Sequence, residues 1–161
     1  MARRATLRRS VMMIVLAAAT TTACITGSAP RMVGTGDVVA DRQRIMRLQG
    51  EQMTDIQNKI KAGGNIEGIA GNAEVLAITS MQITSLFPEG SLTDKSNAKP
   101  EIWVRWGEFE ATARNMTIWS ERLRDAAKNK DQTAVADVLK DYGRVTCVSC
   151  HDTFRKPLPR S

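Results

Sequence analysis

Four stretches of this 161-residue chain carry apolar residues at the period of an α-helix. No other feature restricts the fold as much. The first runs from about Gly36 to Lys61. In it Val39, Met46, Met53 and Ile60 recur at heptad spacing, joined by Ile45 and Ile56. Asp37 is placed to cap its start, and "AGGN" (62–65) breaks it. The second, from about Ile66 to Leu86, carries Ile69, Ala73, Leu76, Ser80 and Ile83, with Val75 and Met81 alongside. A polar connection, "FPEGSLTDKSNAKP" (87–100), follows. The third starts at Pro100, a favoured first helical residue, and continues to about Asn129 through Ile102, Trp106, Phe109, Ala113, Met116, Leu123 and Ala127. The fourth, from near Asp131 to about Arg155, carries Val135, Val138, Leu139, Tyr142 and Val145, and Pro157 and Pro159 stop it.

No segment alternates with period two, and no Asn-Gly or Asp-Gly pair joins two β-rich runs. The length suits one domain, and 42% hydrophobic residues suffice for a core. Four amphipathic helices with three breaks predict an all-α, antiparallel four-helix bundle over residues 37–161.

Residues 1–23 read as an export signal. Arg3, Arg4, Arg8 and Arg9 form a basic start, "VMMIVLAAA" (11–19) is apolar but too short for a comfortable membrane span, and small residues follow. The paired arginines Arg8-Arg9 also suit a twin-arginine route. "TTAC" places small residues before Cys24 as a lipoprotein signal does, although Thr21 stands where leucine is usual. Residues 24–36 then read as a Gly/Pro-rich linker, possible tether between a lipid on Cys24 and the domain. The expected location is the periplasm. The net charge of +6 falls to about +2 without residues 1–23, and no basic stripe interleaved with aromatics argues for nucleic acid.

The chemistry concentrates in "TCVSCHDTF" (146–154), which holds two of three cysteines and the only histidine. On a helix, Cys147, Cys150 and His151 share a face. Two thiols at that spacing can add to the two vinyl groups of a haem, and the adjacent imidazole can reach its iron. Structural zinc wants four ligands, and one cysteine and no histidine remain elsewhere. A thioredoxin-like pair expects a strand–helix context. A Cys147–Cys150 disulfide leaves His151 without a role. The reading is one haem c bound covalently through Cys147 and Cys150 on the C-terminal helix, with His151 as the metal ligand. Ten residues follow His151. They cannot cover so large an apolar surface, so the preceding helices must.

Three stretches resemble the class II cytochromes c, the cytochrome c prime family. "DRQRIM" (41–46) resembles the family's Arg-Gln pair with the distal residue behind it. "KPEIW" (99–103) resembles the start of its third helix. "CVSCHDTFRK" (147–156) resembles its attachment site. The resemblance spans about residues 37–156. It implies a four-helix bundle in which Met46 faces the distal side of the haem, Gln43 and Glu101 line the haem edge, and Arg155 lies near the proximal face. Arg42, a cation on a core-facing side, is expected to pair with a haem propionate. Phe154 is expected to pack on the ring, and Trp103 and Trp106 to form core or pocket walls.

The second axial position decides function. If Met46 binds iron, as in low-spin members, His/Met ligation suits periplasmic electron transfer with redox partner proteins. The alternative is a five-coordinate site that binds nitric oxide or carbon monoxide, with Met46 as packing. No nucleophilic triad is present and no enzymatic activity is expected. The resemblance also makes a homodimer through the first two helices possible.

Overall fold

The computed structural model describes residues 36–63 and 65–157. The export signal, Cys24 and nearly all of the linker lie outside the described residues. Six helical segments make up the four rods of a bundle: α1 (Val38–Lys61), α2 (Ile69–Ser80), α3 (Glu101–Val104) continued by α4 (Trp106–Lys128), and α5 (Gln132–Tyr142) continued by α6 (Ser149–Phe154). No strand occurs among the described residues.

The ends follow local chemistry. Asp37 Oδ1 accepts from the Val39 and Ala40 amides at 2.9 and 3.1 Å and starts α1. Such a cap contributes about 1 kcal/mol. Gly63, at φ 62°, takes the left-handed conformation that ends the helix. Asp131 accepts from the Ala134 amide at 2.9 Å and starts α5. A 3₁₀ turn (Ile66–Gly68) leads into α2, and a second (Thr84–Leu86) lies beyond its end.

The core lies where the stripes meet. Ile45, Ile56, Ile69, Leu76, Ile102, Leu123, Val135 and Tyr142 are almost wholly buried. Alanines at 70, 73 and 77 on α2 and at 113 and 127 on α4 are buried too, and small residues let these two rods run close together. Hydroxyls bridge the same interface, with Ser80 Oγ and Thr117 Oγ1 2.7 Å apart.

The structure departs from the sequence reading in four places. α2 stops at Ser80 rather than Leu86, so Met81 is exposed. Ile60, in the last turn of α1, also faces solvent. The third rod breaks at Arg105 (φ −115°, ψ 43°), and the fourth contains a π turn over Gly143–Val148. The π turn contributes Thr146 and Cys147 to the cavity described next.

Candidate cofactor site

The π turn sets the aim of the C-terminal helix. It widens one turn, so Tyr142, Thr146, Cys150 and Phe154, four residues apart, all turn inward. At strict helical period a spacing of four drifts off one face. The wide turn is held by side chains. Thr146 Oγ1 donates to the Tyr142 carbonyl at 2.6 Å. Asn115 Nδ2 from α4 and Ser149 Oγ both donate to the Val145 carbonyl at 2.9 Å.

Cys147, Cys150 and His151 line a cavity of about 360 Å³, within the ~300–1,000 Å³ usual for small-molecule and cofactor sites. Val39, Met46 and Gln49 of α1 line it as well, and Phe109, Ala113 and Met116 of α4 also contribute. The two thiols are free. Burial pushes the Cys150 thiol up, opposed by a hydrogen bond with Thr112. Burial holds His151 below the usual imidazole range, Arg155 adds to this, and Asp152 opposes it. The neutral imidazole, the form that ligates metals, is therefore favoured.

The predicted residues fall in different places. Met46 lines the cavity and packs against the core. Gln43 lines it from an exposed position, with Nε2 donating to the Lys95 carbonyl at 3.1 Å. Phe154 is buried at the floor, edge-on to Phe109 with ring centres 5.5 Å apart. Arg155 lines the cavity and Glu101 does not: it is exposed in the first turn of α3, where Ile102 is the buried residue. Trp103 and Trp106 also lie outside the lining. Trp103 Nε1 donates to the Phe87 carbonyl at 3.1 Å, and the Trp106 ring lies tilted against Phe109 with ring centres 5.5 Å apart.

Arg42 is buried in the cavity wall, and its guanidinium binds backbone and side chain over residues 86–91, at the start of the long connection. Nε donates to the Leu86 carbonyl at 2.5 Å, Nη1 to the Ser91 carbonyl at 3.1 Å, and Nη2 to Ser91 Oγ. The charge also sits 4.1 Å from the Phe87 ring centre.

Sequence reasoning missed Gln49, which is 6% exposed and lines the cavity. Its signal was present: Arg42, Met46, Gln49 and Met53 fall on one heptad face of α1. It also missed Ser96–Ala98, the end of the long connection. This segment joins the lining because it is tied to the chain end. Ala98 bridges Arg155 in antiparallel fashion, Lys99 N donates to Phe154 O at 2.9 Å, and Lys156 N to Asn97 O at 2.7 Å.

A bundle whose last helix brings two thiols and an imidazole to one apolar cavity is the architecture of a c-type haem protein. The family model for Cytochrome C' matches residues 37–155, and the chain belongs to that family. Cytochrome c' from Thermochromatium tepidum is similar, at 21% identity and a TM-score of 0.70, over 78% of this chain and 100% of that one. The nitric oxide complex of a variant of cytochrome c prime from Alcaligenes xylosoxidans is 25% identical, with a TM-score of 0.68, over 80% and 100%. A cytochrome c' with ligand-controlled dimer dissociation is 22% identical, with a TM-score of 0.69, over 79% and 100%. No curated relative matches the chain.

The residues present fit a haem c. The cavity is mostly apolar, both thiols line it with the imidazole, and no side chain among the described residues hydrogen-bonds that imidazole.

Proposed function

We propose that this protein binds a small diatomic gas, nitric oxide or carbon monoxide, on the α1 side of its haem, away from His151. The observation that carries this reading is the placement of Cys147, Cys150 and His151 on one cavity with Met46, whose partly buried side chain packs against the core. The nitric oxide complexes among the similar structures support it.

In this reading Cys147 and Cys150 would hold the haem through two thioether links, and His151 would supply a nitrogen ligand to its iron. A haem c held there would supply an iron able to bind a diatomic ligand. Met46 and Val39 of α1 keep that side apolar and exclude bulk water. The gas-free protein then needs no sixth protein ligand, and Met46 acts by size and shape. A second reading has one observation in its favour: Met46 lines the same cavity as His151. If its sulfur ligates iron, the protein carries electrons to partner proteins rather than binding gas.

We place the protein in the periplasm, exported by residues 1–23, with a lipid on Cys24 as a tether. The similar protein with ligand-controlled dimer dissociation makes a homodimer worth measuring. The deciding experiment is the ferrous spectrum with and without carbon monoxide. Broad high-spin bands and ready carbon monoxide binding are expected. Sharp low-spin bands without binding, lost in Met46→Ala, would establish the second reading. Intact mass should show one haem added, and no added mass in the Cys147→Ala, Cys150→Ala double variant.

A further inference from the structure

Gln49 is the buried amide of a largely apolar cavity, where the other two amide residues of the wall, Gln43 and Asn97, are exposed, and its orientation is fixed from behind. The Thr79 hydroxyl spends its proton on the Val75 carbonyl at 2.7 Å, so Thr79 Oγ1 must accept from Gln49. The Gln49 amide nitrogen donates to it at 3.1 Å. Gln49 Oε1 therefore points away from Thr79 and has no hydrogen-bond partner among the described residues. No fully covered side-chain oxygen or nitrogen among those residues lacks a partner, so Oε1 is uncovered, and the residue carrying it lines the cavity. Gln49, only 6% exposed, thus carries one acceptor without a hydrogen-bond partner on a residue of the cavity wall.

An acceptor in an apolar enclosure is costly unless a donor meets it. Carbon monoxide and nitric oxide carry no proton and cannot donate. Water can. We propose that Gln49 Oε1 holds a water molecule on the gas side of the cavity, and that a diatomic ligand must displace it to bind. Gln49 is thereby a ligand-discriminating residue. It favours protic occupants over aprotic gases and lowers gas affinity below what Met46 and Val39 alone would allow.

The inference rests on the gas-binding reading. Its test is carbon monoxide binding to ferrous, haem-loaded protein, wild type against Gln49→Leu. Thr79 keeps its bond to Val75 in the variant, so the fold should tolerate the change. Gln49→Met, which keeps the side-chain length, serves if Gln49→Leu does not accumulate. Carbon monoxide should bind on the order of tenfold more tightly and associate faster in either variant. The C–O stretch should also move to lower wavenumber, because the negative end of the pinned amide dipole no longer faces the ligand. Unchanged or weaker affinity with an unmoved band overturns the role of Gln49. No carbon monoxide binding by the wild type overturns the gas-binding reading, and this inference with it.

Discussion

Replacing Arg42 by methionine keeps an apolar stem of similar reach and removes the guanidinium. The loss can be worked from its contacts. The group donates to two backbone carbonyls, Leu86 and Ser91, and to the Ser91 hydroxyl, and its charge lies 4.1 Å from the Phe87 ring centre. Hydrogen bonds to a charged group contribute roughly 1.5–3 kcal/mol each when measured singly. Bonds sharing one guanidinium are not additive, and burial, which lowers the Arg42 pKa, opposes them. The contact with Phe87 adds about 1 kcal/mol. We expect a net loss of about 3 kcal/mol, against a typical total of roughly 5–15 kcal/mol. Urea unfolding of the haem-loaded protein, followed by far-ultraviolet circular dichroism, should show the midpoint falling by about 1–3 M at an ordinary slope. Arg42→Lys should recover less than half, because a point charge cannot span the Leu86 and Ser91 carbonyls as the planar fork does. A loss below about 1 kcal/mol, or full rescue by lysine, would refute the idea that Arg42 clamps the connection.

Three further outcomes follow from geometry already described. Tyr142 is buried, and burial pushes its hydroxyl from 10.0 up to about 12, with its bond to Ser120 pulling the other way. The folded state then holds a proton that the unfolded chain releases, so stability should fall by about 3 kcal/mol as pH rises from 10 to 12. Urea titrations across that range should find the fall absent in Tyr142→Phe. Gly50 sits mid-helix in α1 with nothing within 4 Å of an added Cβ, so Gly50→Ala should raise stability by about 0.5–1 kcal/mol in the same assay. Deleting Arg144 should turn the π turn into plain α-helix while leaving Cys147, Cys150 and His151 facing the cavity. Intact mass should still show one haem, and its loss would mean that the wide turn itself is needed for attachment.

The apolar stripes made the bundle legible. Ile69, Leu76, Phe109, Leu123 and Val135 are buried as their period predicts. The cavity was legible as far as Cys147 and His151, because spacing on one helix fixes a shared face. Spacing alone does not fix what Arg42 and Glu101 reach. A long guanidinium on an inward face can reach either a cofactor or a neighbouring loop, and only the loop's position decides. Glu101 was placed by resemblance, but in α3 it is Ile102 that turns inward. The break at Arg105 and the π turn had little local signal beyond Gly107 and Gly143, because packing across the bundle produces both. Gln49 was overlooked because a polar residue on a heptad face is easily taken for a gap in the stripe.

The last residues of most domains are the first to open. Here the backbone of Arg155 is bridged to Ala98, and bonds from Lys99 and Lys156 stand on either side. The helix that carries the thiols and the imidazole is therefore anchored at both ends, by the wide turn upstream and by this short ladder downstream. Peeling it from its free end requires the 96–99 segment to come away as well. Hydrogen exchange should then find the amides of Lys99, Arg155 and Lys156 among the slow ones, and the end of α6 would open only together with the connection nearly sixty residues before it.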